Sequence, residues 1–410
     1  MTTSPLSRHP QALRVGSYAS AAPPGMVEYA YYALLLYSML APGLGILVPM
    51  LASGMLLVLA MFCVIRLGAR AIAVYAPLRL PLAFATAYLS VQMIVYGASI
   101  LDGRDIIAWI LGFIIVQSLC LRRGFLHRCT LVLFVMGLTA LPYLTFIKSS
   151  VAEGRARVAT DSMVTGDFIS VNGLGAWFGF CCLYFTIVGI ETRRVGVRVV
   201  SSLAAVGCLY ITGLTVSRGA LLATAIGITV AFRGLLRRGF VPLLVFITVS
   251  GTMYNFGVFD RIISDYSTRG MEDTGRLSVW PLALERFLNS PLLGVGMSNV
   301  ATYVPFKQKR YIPHNSFLFV ALASGVLPLA FFVAWWIRTA HNAFWSGEQS
   351  AAGAFRLPFL VYTFVNTWVG DFTFMAPWGI LTFAIAMASS TPYTVRRLVV
   401  RRVQTLHGST

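Results

Sequence analysis

The chain has 410 residues, of which 57% are hydrophobic and only 11% are charged, and its mean hydropathy is +0.76. Soluble proteins carry about 25% charged residues, so this composition excludes a soluble domain of any size. The net charge of +18 does not indicate nucleic-acid binding, because the basic residues lie in short clusters between apolar segments, where membrane topology accounts for them.

Apolar segments recur along the whole chain, and most are long enough to cross a bilayer, which takes about 20 helical residues; the first, eighth and twelfth are short. The sequence therefore predicts an all-α polytopic membrane protein with about 12 transmembrane helices. These helices are predicted at residues 27–41, 46–65, 80–100, 105–121, 129–147, 168–190, 197–215, 218–233, 239–257, 314–337, 355–375 and 376–391.

The segments outside these helices define the domain organisation. Residues 1–26 are predicted to form a cytoplasmic N-terminal tail, since they contain no apolar stretch of the kind found in a cleaved signal peptide. The transmembrane domain is predicted over residues 27–391, and a cytoplasmic C-terminal tail over residues 392–410. Within the domain the longest connections are residues 148–167 and 258–313.

Basic residues are distributed unequally between the two sides of this predicted membrane domain. When the connections are assigned alternately, 20 of the 32 basic residues but only 3 of the 14 acidic residues fall on one side. Cytoplasmic loops are enriched in Arg and Lys, so this side is predicted to be the cytoplasm, and both termini lie there. The connections 148–167 and 258–313 then face outside.

The long outer connection is predicted to be partly structured. Asp273 or Thr274 is suited to cap a helix over residues 276–288, which Pro281 would kink or restart. The apolar side chains of this helix share one face, which suits a helix on the membrane surface or across the mouth of a cavity. A loop of this length in a compact protein is usually functional.

Three predicted helices begin at the outer side with residues suited to anion binding. One begins at Ser217 and Arg218, another begins at His314 to Ser316, and a third contains Asn172 near its start. Helix N-termini present unpaired N–H groups and the positive end of the helix dipole, and an adjacent arginine strengthens their preference for anions. With Arg276 from the long loop, this pattern predicts a site for a phosphate or pyrophosphate group.

Two further residues are candidates for acid–base chemistry at the same site. His314 is the one histidine predicted to lie outside, and the helix dipole and nearby arginines are expected to keep its imidazole neutral and able to accept a proton. Asp371 is a carboxylate near the outer end of a predicted helix, where charge is costly and usually functional. The alternatives are an interfacial histidine, a boundary arginine at position 218 and an ion-paired aspartate.

No metal and no cofactor is predicted. The sequence contains no Cys/His cluster with zinc-type spacing, no Asp-x-Asp pair and no glycine-rich loop of the Walker type.

The motifs of the second half of the chain resemble those of a known family, the O-antigen ligase and polymerase superfamily of bacterial inner membranes. The similar motifs are Ser217-Arg218-Gly219-Ala220-Leu221-Leu222, Gly275-Arg276 with Trp280, Pro291 to Gly296, and His314-Asn315-Ser316-Phe317-Leu318 with Gly325, and they cover about residues 215–330; Val171-Asn172-Gly173 is similar to an earlier motif of the family. The order and spacing of these motifs carry the resemblance.

The resemblance implies a multi-span glycosyltransferase of the GT-C type whose donor is a glycan linked to undecaprenyl pyrophosphate. Its acceptor would be a sugar of lipid A-core, in lipopolysaccharide biosynthesis at the periplasmic face of the cell inner membrane. Arg218 and Arg276 would hold the pyrophosphate, and His314 would deprotonate the acceptor hydroxyl for metal-independent, inverting transfer. Asn315, Asn172 and Trp280 would contact substrate, whereas Asp371 is a candidate from its position alone.

Other functions stay open at this point. An O-antigen polymerase would use a second lipid-linked repeat as acceptor, and one dominant outer loop favours the ligase over it. A ligase that modifies protein is a related alternative. A lipid or solute transporter would instead place Gly- and Pro-broken helices in matching halves of the chain. The glycan, the acceptor hydroxyl and the oligomeric state do not follow from the sequence.

Overall fold

The structure of the protein, a computed structural model, describes residues 25–40, 49–99, 102–122, 124–139, 171–215, 217–232, 276–305, 308–345, 353–370 and 373–388, with isolated residues at 141, 248, 251, 254–255, 257 and 260. Its α-helices, numbered in chain order, are α1 (Met26–Leu40), α2 (Pro49–Leu67), α3 (Ala71–Tyr75), α4 (Arg79–Ser90), α5 (Arg104–Leu119), α6 (Phe125–Thr139), α7 (Val171–Glu191), α8 (Val195–Leu214), α9 (Arg218–Phe232), α10 (Arg276–Asn289), α11 (Ser316–Ser324), α12 (Val326–Trp345), α13 (Gly353–Val369) and α14 (Pro377–Ala388). The antiparallel strands β1 (Thr302–Val304) and β2 (Lys309–Tyr311) form a hairpin.

The predicted all-helical membrane architecture is supported, although the number of spans stays a prediction. By length and composition, three helical segments of the described chain are able to cross a membrane, and shorter apolar helices accompany them. The three segments are Leu51–Val95, Asn172–Glu191 and Val195–Leu214. The predicted loop 148–167, the tail 392–410, nearly all of the tail 1–26 and most of the predicted helix 239–257 lie outside the described residues.

The segment Leu51–Val95 contains 45 residues, too many for one crossing. At 1.5 Å per residue a straight helix of this length would span about 68 Å, against about 30 Å of hydrocarbon. The chain breaks at Gly68, whose φ is +52°, and continues through short 3₁₀ turns and α3. Helix α2 packs against α5 and helix α4 against α12, so the segment is two elements, as predicted.

Helices α7, α9 and α13 form the centre of the bundle, and small residues set their spacing. Gly175 lies against Ser217 and Ala220, and Gly179 lies against Thr224, so α7 and α9 run parallel with their first residues at one level. Small residues at such crossings let helix backbones approach closely in a membrane protein. Gly227 continues the contact one turn further.

Helix α13 runs antiparallel to α7. The rings of Phe355 and Tyr184 lie 5.7 Å apart, and those of Phe359 and Phe180 lie 4.5 Å apart. Further along, the Tyr362 hydroxyl donates a hydrogen bond to the carbonyl of Ala176. The end of α13 therefore lies level with the beginnings of α7 and α9, and we call this end of the bundle the site end.

The opposite end of the bundle contains a buried ion pair. Arg128 donates two hydrogen bonds to the fully buried carboxylate of Glu28, at 2.6 and 3.0 Å, and the Tyr32 hydroxyl donates a third at 2.8 Å. His127 and Tyr184 form a hydrogen bond of 2.9 Å beside it. Since a buried carboxylate without partners is very costly, these contacts fix α1 against α6.

The predicted continuous helix 314–337 is wrong. The chain forms α11, breaks at Gly325 with a φ of +80°, and reverses direction into α12. The Phe317 ring contacts Phe332 and Trp336 at 5.0 and 6.1 Å, as an antiparallel helical hairpin requires. With nine residues, α11 is about 13 Å long and too short to cross a bilayer.

The turn after α10 closes this helical hairpin. The Val326 amide donates to the Pro291 carbonyl at 2.8 Å, and the Val295 amide donates to the Leu322 carbonyl at 2.6 Å. Gln92 completes the contact from the π-helical turn Val91–Val95, because its side-chain amide donates to the Ala323 carbonyl at 2.7 Å. The last carbonyls of α11 are thus satisfied within the protein, as an apolar environment demands.

We predict that Gly325→Ala destabilises the protein by about 2–5 kcal/mol, since the backbone conformation is strained for any other residue and the new methyl would overlap the Leu292 carbonyl. The thermal midpoint of the purified protein in detergent measures this change. Gly207→Ala is the matched control, because Gly207 lies within α8 with open space around it. Equal midpoints for the two variants would contradict the prediction.

Candidate active site

The site end brings several predicted residues to one region of the molecule. Asn172 is the second residue of α7 and is exposed, and Arg218 is the first residue of α9 and is half-buried. The parallel packing of α7 and α9 puts both residues at the same end of the bundle. The region thus combines two helix N-termini with one guanidinium group, and its binding of an anion stays a prediction.

Ser217 begins α9 in the way its sequence position predicts. Its hydroxyl accepts a hydrogen bond from the Ala220 amide at 3.5 Å, and its carbonyl accepts one from the Leu221 amide at 3.0 Å. The capping serine is buried, whereas Arg218 beside it is only half-buried. The N-terminus of a helix, with unpaired amide groups and an arginine in its first turn, favours the binding of an anion.

Helix α11 joins this end of the bundle through α13. The Ser316 hydroxyl donates a hydrogen bond of 2.9 Å to the carbonyl of Gly370, just beyond the end of α13. The Phe317 ring also packs against Trp368 at 5.6 Å. The beginning of α11 is therefore attached to the same end of the bundle that holds Asn172 and Arg218.

Helix α10 fixes the chain immediately before His314. The Trp280 indole N–H donates a hydrogen bond of 2.6 Å to the Pro313 carbonyl, and its ring packs edge-on against Trp368 at 6.4 Å. Pro313 is buried, so this carbonyl needs a partner inside the protein. Trp280 was predicted to contact substrate, and the structure shows that its polar group holds the backbone next to His314.

His314 has an unusual backbone conformation. Its φ is +46°, and among the described residues Gln308 is the one other non-glycine residue with a positive φ. Such a conformation is uncommon for residues other than glycine and tends to occur at functional sites, where the surrounding structure maintains it. The half-buried side chain thus projects from a fixed and strained position.

Asn315, rather than His314, is the N-cap of α11. Its side-chain oxygen accepts a hydrogen bond from the Leu318 amide at 3.0 Å, and the residue is only 4% exposed. The N-cap is where Asn is strongly preferred in helices. A contact of Asn315 with substrate stays a prediction, since this oxygen is used to begin the helix.

Two predicted site residues, Arg276 and Asp371, lie partly or wholly outside the described part of the chain. Arg276 is the first residue of α10, but its side chain and the predicted caps Asp273 and Thr274 lie outside the described residues. Asp371 also lies outside them. Its neighbour Gly370 accepts the Ser316 hydrogen bond, and Phe374 beyond it is fully buried against Phe332 at 4.9 Å. Both sides of the Asp371 position are thus attached to the site end.

Sequence reasoning missed the residues that hold the site together. Trp368, Ser316 and Gln92 make contacts between elements that are distant in sequence, and nothing in their local pattern indicates the partners. Gly325 was a signal that was available, because a glycine in the middle of a predicted helix marks a possible break.

The fold and this arrangement define a polytopic membrane protein with a candidate anion-binding and acid–base site at one end of its helices. Residues 203–333 match the family model described as O-antigen ligase. The matched region runs from α8 into α12 and contains Arg218, Arg276 and His314. The match confirms the resemblance to the O-antigen ligase superfamily over these residues. No curated protein has a significant match to the chain.

We predict that Trp280→Phe lowers turnover about tenfold or more while leaving donor binding nearly unchanged, because the ring is kept but the hydrogen bond that positions His314 is lost. Measured kcat and KM values separate these effects. Trp177→Phe is the matched control, since its indole donates a similar bond of 2.8 Å to the Leu133 carbonyl, away from α10 and α11. An equal loss of kcat in both variants would argue against a positioning role.

Proposed function

We propose that this protein is an O-antigen ligase that transfers a glycan from undecaprenyl pyrophosphate to a sugar hydroxyl of lipid A-core. The observation that carries the proposal is His314, held in a left-handed conformation next to α11, with its helix attached to the end of the bundle where α9 begins with Arg218. A strained histidine beside an arginine-led helix N-terminus suits a reaction that needs one base and one anion site.

The pyrophosphate of the donor is proposed to bind at the beginning of α9. Arg218 and the first amides of this helix supply positive charge, and Arg276 at the beginning of α10 adds a second guanidinium group. Negative charge develops on the pyrophosphate as its bond to the sugar breaks, so fixed positive groups at this position stabilise the transition state. Pyrophosphate is a good leaving group and needs no general acid.

His314 is proposed as the general base. Its imidazole takes the proton of the acceptor hydroxyl while the hydroxyl oxygen attacks the anomeric carbon of the donor sugar. The bond from that carbon to the pyrophosphate oxygen breaks in the same displacement, which inverts the configuration. Undecaprenyl pyrophosphate leaves with the bonding electrons, and the proton on His314 passes to solvent afterwards. Asp371 is proposed to orient the imidazole, and Asn172 and Asn315 to contact substrate.

The orientation in the membrane follows from the charges. The opposite end of the bundle carries the arginine-rich connections, including Arg128 and Arg194, so we propose that this end faces the cytoplasm of a bacterial cell with both termini. The site end then faces the periplasm at the inner membrane, where lipid-linked donor and lipid A-core are both present in the same leaflet. The oligomeric state does not enter the proposal.

The O-antigen polymerase is the second candidate, because it belongs to the same superfamily and would use the same base and anion site. A transporter is less well supported. The break at Gly325 is the type of feature that transporters use, but the match of residues 203–333 to a ligase domain favours an enzyme.

We predict that His314→Ala lowers the rate of glycan transfer by about 10²–10⁴ without loss of donor binding, because the positioned base is removed. His341→Ala is the control, since His341 lies near the far end of α12. Near-normal transfer by folded His314→Ala would overturn the base assignment.

The lipopolysaccharide of a deletion strain should separate ligase from polymerase. Loss of a ligase leaves lipid A-core without O-antigen, and polymer accumulates on the lipid carrier. Loss of a polymerase leaves core that bears a single repeat. Gel electrophoresis of the lipopolysaccharide shows which pattern occurs, and we expect the first. Core with one repeat would replace the ligase proposal with the polymerase.

A further inference from the structure

An open polar groove lies on the long loop, apart from the residues of the candidate active site. Its volume is about 440 Å³, within the usual range for small-molecule sites. It is formed by one face of α10, the turn Met297–Asn299 and the β-hairpin. Its lining residues are mostly polar and include Glu285, Arg286, Asn289, Asn299, Tyr303 and Arg310.

Arg286 makes the floor of the groove rigid. Its guanidinium donates hydrogen bonds to the carbonyls of Asn299 and Ala301, at 2.8 and 3.1 Å, and to the Thr302 hydroxyl at 3.1 Å. These three bonds join α10 to the turn Met297–Asn299 and to the beginning of β1, so the guanidinium group holds the groove together. A ligand therefore meets a pre-formed surface, and little ordering entropy is lost on binding.

The exposed side chains of the groove suit a polyhydroxylated ligand. Tyr303 is 52% exposed and lies directly opposite Arg310 in the hairpin, and Glu285 and Asn289 are exposed on α10. Amide, carboxylate and guanidinium groups offer both donors and acceptors to hydroxyl groups. The tyrosine ring adds an apolar face with a polar edge.

The charges of the groove argue against a phosphate group. Glu285 opposes an anion, and the guanidinium of Arg286 is already bonded to protein oxygens. A lipid headgroup with a phosphate would meet this carboxylate, whereas a neutral sugar would accept hydrogen bonds from Arg310 and donate them to Glu285. The presence of both a carboxylate and a guanidinium group thus favours a sugar over a phospholipid as the ligand.

The groove is built on the same elements that fix the chain beside His314. Helix α10 carries Trp280, which holds Pro313 beside His314, and the groove residues Glu285 and Asn289 lie about 8 and 14 Å further along the same helix axis. Strand β2 ends at Tyr311, three residues before His314. A glycan whose reacting end lies at His314 therefore has this groove within reach of its following sugars.

We propose that this groove is a saccharide-binding subsite that holds sugars of the glycan at a distance from the reacting bond. The proposal rests on the proposed glycosyl transfer and names a second contact for its substrate. Two sources of saccharide fit the same chemistry, namely the polymer on the donor lipid and the core sugars of the acceptor. Because the groove is proposed to contact the sugars of either source and not its lipid, lipid-free glycans are suitable probes for both.

Binding of lipid-free glycans to the full-length protein in detergent tests the subsite. The probes are core oligosaccharide alone and the same core bearing O-antigen polysaccharide, both released from lipopolysaccharide by mild acid, and calorimetry measures their affinity. Binding of the second probe alone assigns the groove to O-antigen sugars, and equal binding of both assigns it to core sugars. We expect Tyr303→Ala and Asn289→Ala each to weaken binding of one probe about three- to tenfold, as for loss of one hydrogen bond or stacking contact. Ser298→Ala is the control, since Ser298 is exposed on the same loop but does not line the groove.

A transfer assay separates this proposal from the proposed function. Relative to the wild-type protein, Tyr303→Ala should raise KM for the glycan that binds the groove and leave kcat and the thermal midpoint unchanged. Transfer by the wild type with unchanged glycan binding in both groove variants would overturn the subsite and leave the ligase proposal standing. Glycan binding that depends on Tyr303 and Asn289 without any transfer by the wild type would support the subsite and overturn the ligase proposal.

Discussion

The satisfaction of backbone polar groups around the short helix α11 is the constraint on which the rest of this structure depends. In a membrane protein an unsatisfied N–H or C=O group costs several kcal/mol, so a broken helix persists only where the protein supplies partners. At its beginning α11 uses the side chain of Asn315, and at its end it uses the Val295 amide and Gln92. These contacts come from the long loop and from the π-helical turn after α4, so the loop is part of the fold rather than an appendage. His314, the proposed base, and the long loop therefore form one structural unit.

The level of this unit relative to the other helices is set by small residues. Gly175 and Gly179 let α7 approach α9 closely. Tyr362 of α13 donates a hydrogen bond to the Ala176 carbonyl of α7, so the heights of the three helices relative to one another are fixed. The end of α13 then meets α11 through Ser316. Helix interfaces in a membrane lack a hydrophobic driving force and depend on close packing, which here fixes the relative height of the helices. A shift of α9 by one turn would move Arg218 about 5 Å from the level of the α11 N-terminus.

The sequence was sufficient for properties that depend on local pattern. Hydropathy predicted helices that match most of the described elements, and the capping serine Ser217 predicted the beginning of α9 at Arg218. Motif order predicted the superfamily, which the match of residues 203–333 confirms. The reversal at Gly325 was missed because hydropathy stays high through a hairpin as it does through a straight helix. Contacts such as Trp280 with Pro313 and Ser316 with Gly370 join residues 33 and 54 positions apart, and no periodicity encodes them.

In the proposed mechanism these distant contacts matter because they hold the strained backbone of His314 in place. A left-handed backbone at a non-glycine residue costs about 1–3 kcal/mol and persists when its neighbours over-determine it. Here the neighbours on both sides are fixed, since Trp280 holds Pro313 and the N-cap of Asn315 holds the following turn. As the proposed base, His314 would lose little entropy when the acceptor hydroxyl arrives, because its position is set before substrate binds. The same rigid element carries the polar groove, so a glycan bound there would be aligned with the imidazole by the fold itself.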